Sequence, residues 1–255
     1  MGAAVQLTEE DRVARIVIDR PPLNILNLPT LRELSALLGE IGRKSSVDVI
    51  VLSGSGSKAF SAGVDVKDHV KEKVPEMLES VHGVIRQLLA LPQVTIASVH
   101  GACLGGGLEV ATSCDLILAS EESVFATPEI NVGCYPPVAM ARFPSLLGYR
   151  RAVEIILTGR RLNAREALAI GLVNRVVPAG EMERAVEALT GELKEKSGAV
   201  LRLTLKGLRE ISQGSFLPHL KRAEEIYLQE LLRTEDVEEG VRAFVEKRKP
   251  EWRHR

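Results

Sequence analysis

Two glutamates and a run of three glycines carry most of the chemical potential of this chain. Glu109 follows Gly105-Gly106-Gly107-Leu108, and Glu129 follows Thr127-Pro128 and precedes Ile130 in a stretch poor in other charges. Carboxyl groups in apolar surroundings take raised pKa values, and two placed together push their values apart, so that one serves as base and the other as acid. The plainer reading makes Glu109 a favourable first-turn acid and Glu129 a surface or salt-bridge residue. The glycines likewise read in two ways. A helix beginning there would aim unpaired N–H groups at a developing oxyanion, or the glycines would simply let a strand pack tightly on a helix. The run matches neither GxGxxG nor the lysine-ending phosphate loop, which disfavours nucleotide phosphate.

A second small-residue segment, Lys58-Ala59-Phe60-Ser61-Ala62-Gly63-Val64-Asp65-Val66-Lys67, could expose extended N–H groups to a ligand or form an ordinary loop. Ser61 is a poor nucleophile candidate, because no GxSxG surrounds it. The five histidines, His69, His82, His100, His219 and His254, offer it no assignable base.

These segments need a frame. Val5–Thr8 and Val13–Asp19 flank a polar Glu9-Glu10-Asp11 and predict a hairpin. Leu31, Leu34, Leu37, Leu38 and Ile41 recur at helical spacing after Pro29, and Val74 to Leu89 repeats the pattern up to Pro92. The runs Val47–Leu52, Val94–Val99 and Leu116–Ala119 read as strands, and Leu108–Ser113 as a short helix. Strand, helix, strand at this spacing implies right-handed crossovers and a largely parallel sheet with helices outside. Beyond about residue 140 strand-like runs nearly vanish. Helical periods are predicted over Ala164–Leu172, Glu181–Lys196, Ala199–Ile211, Leu217–Leu232 and Thr234–Lys247. The expected organisation is an α/β core over residues 1–195 and a helical region over 196–255.

Composition narrows the function classes. The 255 residues are 45% hydrophobic with a formal net charge of −1, which gives no global field for nucleic acid or an anionic membrane. The helix from Leu31 to Ile41 carries Arg32 but also Glu33 and Glu40, so it lacks the basic face an RNA-binding role would need. No stretch approaches the roughly 20 apolar residues of a membrane span. Three cysteines without a CxxC, and no histidine cluster, argue against a disulfide framework and a metal site. An acidic rather than basic N-terminal segment adds to the expectation of a cytoplasmic protein.

Four strings in order, Phe60-Ser61-Ala62-Gly63-Val64-Asp65, Gly105-Gly106-Gly107-Leu108-Glu109, Thr127-Pro128-Glu129-Ile130 and Ala243-Phe244-Val245-Glu246-Lys247-Arg248, resemble the signatures of the enoyl-CoA hydratase/isomerase (crotonase) superfamily. The resemblance runs from about Val5 to the C-terminus. It implies a spiral of ββα units with a C-terminal helical trimerisation region, assembled as a trimer or dimer of trimers. It further implies that the backbone N–H groups of Val64 and Gly106 form an oxyanion hole for a thioester carbonyl. Glu109 and Glu129 then match the two glutamates of the hydratase branch, with Glu129 nearer the α-carbon proton and Glu109 nearer the water. The acyl-CoA partner would be embraced by Leu23, Ala62, Asp65, Val66 and Lys67, and reached by Phe244 and Lys247 at its nucleotide end. No separate cofactor is implied, since CoA belongs to the substrate.

One departure stands out. Simple hydratases continue after the second glutamate toward a glycine-rich turn, whereas this chain reads Gly133-Cys134-Tyr135-Pro136-Pro137. Two prolines have no N–H, so a carboxylate or water contact made by a glycine amide there is expected to be missing. Tyr135 either enters the acyl pocket or packs. The turn, with Arg20-Pro21-Pro22-Leu23-Asn24, is similar to cyclohexa-1,5-diene-1-carbonyl-CoA hydratases; straight-chain enoyl-CoA hydratases and enoyl-CoA isomerases are the alternatives.

Overall fold

The computed structural model describes residues 3–254. It opens with β1 (Val5–Glu10) and β2 (Val13–Ile18), paired antiparallel from Val5↔Ile18 to Glu10↔Val13. Asp11 and Arg12 form the two-residue turn with φ of 44° and 66°, the left-handed pair that a tight hairpin requires. Helix α1 (Leu28–Ile41) starts at Asn27, whose side chain accepts from Thr30 N at 3.1 Å, with Pro29 in the first turn.

Three strand pairs follow, each a longer strand leading into a short one: β3 (Val49–Gly54) with β4 (Ala59–Ser61), β5 (Val94–Val99) with β6 (Ala102–Leu104), and β7 (Leu116–Ser120) with β8 (Val124–Ala126). Helix α2 (Val74–Ala90) follows the first pair and α3 (Gly106–Thr112) the second. After the third, a single 3₁₀ turn (Pro128–Val132) leads to α4 (Pro137–Leu147) and α5 (Tyr149–Thr158). The chain then forms β9 (Leu162–Asn163), α6 (Ala164–Ala169), β10 (Arg175–Val177), α7 (Met182–Lys194), α8 (Gly198–Gln213), α9 (Phe216–Gln229) and α10 (Glu235–Val245).

The long strands, with the three-residue β10 at one edge, form a six-stranded sheet in the order β1-β2-β3-β5-β7-β10, parallel from β2 onward, and the other short ones a four-stranded sheet β4-β6-β8-β9. The repeating ββα turn matches the spiral that the resemblance implies. Period-two alternation sorts the large sheet between two cores. Val13, Val49, Val51, Ile96 and Leu118 face Val186 and Leu189 of α7, while Ile16, Ile50, Leu52, Ala97 and Ile117 face the main core with α1 and α2. Both faces are covered, which is why these strands read as continuous apolar runs.

The structure departs from the sequence expectation in several places, among them helices α4 and α5, which no predicted period marked. Strands do continue past residue 140, as β9 and β10, but at two and three residues they are too short to show a period. Residue patterns did not mark the short strands β4, β6 and β8, for the same reason, although the ββα units of the resemblance imply a second strand in each turn. Helix α3 begins at Gly106 rather than Leu108, since a parallel neighbour on either side of β6 fixes where the chain must turn.

Helix α8 is held to the amino ends of β3 and β7 by two arginines. Arg209 donates to Asp115 through Nη2 at 2.8 and 2.7 Å and through Nε at 3.1 Å, and Arg202 reaches Asp48 at 2.6 Å. Its opposite side exposes Val200, Leu203, Leu208 and Ile211. No helix among the described residues is long and apolar enough to cross a membrane.

Candidate active site

The three parallel strands of the small sheet end side by side, at Ser61, Leu104 and Ala126. Each is followed within a few residues by a candidate group: Val64 after β4, Gly106 and Glu109 after β6, and Glu129 after β8. The carboxyl ends of parallel strands are where open α/β sheets bind ligands. The register Leu104↔Ala126 and the bond from Gly105 N to Ala126 O at 2.9 Å lock the last two segments together.

The close approach read from the glycines is real. Gly63 has φ of 96° and Gly105 has φ of 52°, conformations that side chains avoid. A Cβ on Gly106 would lie 2.7 Å from Val64 Cγ2 and 3.5 Å from Val64 N, and one on Gly63 would lie 3.3 Å from Gly106 N. The Val64 and Gly106 amides are thus neighbours. Gly106 N–H belongs to the first turn of α3, where no intrahelical carbonyl is available, and Val64 N–H has no acceptor among the described residues.

Ser61 has a structural task. Its buried Oγ donates to Asn24 O at 2.8 Å and accepts from Gly63 N at 3.1 Å. Asn24 in turn donates through Nδ2 to Ser55 O (3.0 Å) and Ala59 O (2.8 Å). This latch sets the loop that turns Val64 N–H inward.

Glu109 is buried, and its Oε1 accepts from Val138 N at 2.9 Å and Ala139 N at 3.0 Å. Those amides lie in the first turn of α4, the positive end of its dipole. The double proline does not leave Glu109 without backbone donors. Pro136 and Pro137 donate nothing, but Pro137 opens the helix and the next two amides do. Burial raises the Glu109 pKa, against the opposing pull of the His82 charge and the two amides.

Glu129 is less well served. Its Oε2 is buried without a hydrogen-bond partner among the described residues, and burial, then the Glu109 charge, push its pKa up to about 8. It forms no ion pair with any described residue, so the surface reading fails. Its other oxygen sits 2.6 Å from where a Gly105 Cβ would be.

Both glutamates, Val64 and Gly106 line one cavity of about 600 Å³. Leu23, Ala62, Asp65, Val66, Tyr135 and Phe244 also line it, whereas Lys67 and Lys247 are exposed and do not. Arg20, Arg161 and Arg248 are cationic members of the wall. Among the described residues no cluster of three or more His, Cys, Asp or Glu is gathered to hold a metal.

A model of the enoyl-CoA hydratase/isomerase family matches residues 8–255. The chain belongs to the enoyl-CoA hydratase/isomerase family. It is 34% identical to a short-chain-enoyl-CoA hydratase of Clostridium acetobutylicum, over 97% of this chain and 96% of the relative. It is 30% identical to a cyclohexa-1,5-dienecarbonyl-CoA hydratase of Thauera aromatica, over 98% and 96%. The crystal structure of an enoyl-CoA hydratase from Mycobacterium avium subsp. paratuberculosis superposes with a TM-score of 0.89 at 29% identity, over 98% of both chains. The kinship makes this hydratase/isomerase-family chain an enzyme of hydro-lyase type.

Besides Arg161, two buried cavity residues escaped sequence reasoning as site candidates. His82 is buried on α2 with Nδ1 2.5 Å from Glu224 Oε1. Tyr227 is buried on α9, its ring edge-to-face with Tyr135 at 5.0 Å. The available signal was position: His82 falls four residues after Leu78, and Tyr227 eleven after Phe216, on otherwise apolar helix stripes.

Proposed function

We propose that this enzyme hydrates an α,β-unsaturated acyl-CoA thioester. The observation that carries the reading is the convergence of two adjacent amides and two unequal carboxyl groups on one cavity. The Val64 and Gly106 N–H groups hold the thioester oxygen as enolate charge develops, each such donor being worth roughly 3 kcal/mol in the transition state. Glu109, supplied with two N–H donors, is the ionised base that takes a proton from water. The hydroxyl adds to the unsaturated carbon, and Glu129, protonated at neutral pH, delivers its proton to the enolate carbon. Water is consumed whole, and solvent returns the pair to its starting protonation.

For the acyl group we favour a cyclohexadiene-carbonyl thioester. The supports are the Thauera aromatica relative, the Cys134-Tyr135-Pro136-Pro137 turn, and the Tyr135–Tyr227 aromatic wall, which suits a flat ring. A straight-chain enoyl group is the second reading, supported by the short-chain relative. Leu23, Ala62, Asp65 and Val66 would hold the CoA arm, and Phe244 its outer end, with Lys67 and Lys247 reaching in from the rim. The exposed apolar row of α8 supports a trimer or dimer of trimers built on the 196–255 region, in the cytoplasm. Incubation with cyclic and linear enoyl-CoA esters, with products read by mass, tests the reading. Gain of one water on a member of the panel is the expected result; no gain on any member refutes it.

A further inference from the structure

Arg142 of α4 lies inside the protein, 6% exposed and without a carboxylate partner among the described residues. Asp115, the acid whose charge favours the guanidinium, is bound by Arg209 of α8. Arg142 instead donates through Nη2 to Thr112 O, the last carbonyl of α3, at 2.9 Å, and lies 5.4 Å over the Phe216 ring of α9. Its Nε is buried with no hydrogen-bond partner. Keeping a charge inside on so few contacts is unfavourable, and a methionine would fill the same space without that penalty.

The arginine joins the same two helices as the Glu109 contact. Glu109 of α3 accepts from the Val138 and Ala139 amides of α4 at 2.9 and 3.0 Å. About one helical turn further along both helices, the Arg142 side chain of α4 reaches back to the α3 backbone. Neither helix is strong by itself. Helix α3 has seven residues and opens on Gly106-Gly107, and Pro144 takes one rung out of the α4 ladder. A single link would let α4 pivot about the Glu109 carboxylate; two links fix its register. We propose that Arg142 is a positioning residue for the hydration chemistry, which caps α3 at Thr112 O and so holds the α4 amides on the Glu109 carboxylate. It does not line the cavity and touches no substrate. For its effect on rate, the proposal rests on the hydratase reading above.

Arg142→Met tests it on the full-length enzyme. With the cap gone the amides drift from Glu109, and a carboxyl group that loses N–H donors holds its proton to higher pH. The other charged groups that face it, His82 on α2 and Glu129 after β8, stay in place. The acid limb of the kcat profile, where the base Glu109 is protonated, should therefore move to higher pH. Expected with it are a kcat lower by about 10- to 100-fold and an affinity for saturated acyl-CoA within about twofold of wild type. Arg209→Met is the control for loosened packing: it cuts a neighbouring buried arginine tie but not the α3–α4 links, so it should lower the melting temperature and leave the limb unmoved. Arg142→Lys, whose donor is one bond shorter, should move the limb in the same direction by less, and it carries the test where Arg142→Met does not fold. A limb at its wild-type pH in either folded Arg142 variant, or an equal displacement in Arg209→Met, overturns the proposal and leaves the hydratase reading intact. A wild-type enzyme that hydrates no member of the enoyl-CoA panel overturns the hydratase reading alone. An NMR titration of the Glu109 carboxyl carbon in the ligand-free proteins then decides the positioning: a higher midpoint in Arg142→Met upholds it, and an equal one refutes it.

Discussion

Gly105→Ala should damage catalysis far more than stability, and the structure sets both magnitudes. Gly105 has φ of 52° and ψ of −129°, a conformation essentially reserved for glycine, so any side chain there costs about 1–3 kcal/mol. At about 2–4 °C per kcal/mol for a chain of this size, the melting temperature should fall by several degrees. The new Cβ would also stand 2.6 Å from Glu129 Oε1, and reaching ordinary contact at 3.4 Å displaces the carboxyl group by about 0.8 Å. Misplacing a reacting group by about 1 Å costs on the order of 100-fold in rate. Gly56→Ala provides the control, because Gly56 has φ of 73° but nothing within 4 Å of its Cβ position. It shares the strain without the collision. Steady-state kinetics on the best wild-type substrate, with thermal melts of all three proteins, separate the two effects. A Gly105→Ala enzyme with wild-type kcat, or one no worse than Gly56→Ala, would show that Glu129 does not need its observed position.

Glu109→Gln and Glu129→Gln should each reduce kcat by about 10² to 10⁴-fold while acyl-CoA binding, followed by calorimetry, changes little; wild-type turnover in both would sink the acid/base roles. Hydration should also lose rate as pH rises through about 8, because Glu129 must be protonated to give its proton to carbon and its raised pKa marks where that form disappears. The limb belongs to the coupled pair, and a kcat profile flat to pH 10 would contradict it. Ser61→Ala removes a donor to Asn24 O and an acceptor of Gly63 N–H, so about 1–3 kcal/mol of stability should go, with kcat reduced modestly through the loosened Val64 loop. Complete loss of turnover in a folded Ser61→Ala protein would instead make the serine a reacting group.

Much of the frame was legible because the long strands and amphipathic helices repeat their patterns over many residues. Val49 to Leu52 announces a doubly covered strand, and Leu31 to Ile41 a helix, without outside help. The small sheet was illegible for the opposite reason. Ala59–Ser61, Ala102–Leu104 and Val124–Ala126 are too short to carry a period, and only pairing with one another makes them strands. The glutamates were visible as residue types, but their inequality was not. It depends on Val138 and Ala139 amides about thirty positions away from Glu109, whose availability follows from where α4 happens to start. Sequence reasoning counted the prolines as a lost contact and could not see that the next two amides would serve Glu109. Tyr227 and His82 were hidden as ordinary members of apolar stripes, since nothing local distinguishes a buried polar side chain that lines a cavity from one that packs in the core.

The cavity wall is completed by side chains from α9 and α10, which leave the ribosome after every strand of the two sheets. The nascent protein can build its whole large sheet through β10 before Tyr227 or Phe244 has been translated. A chain shortened ahead of residue 227 would retain the glutamates and the amide pair yet present them in an open trough rather than a chamber. The order of synthesis therefore places the closing of the reaction vessel after the building of its floor.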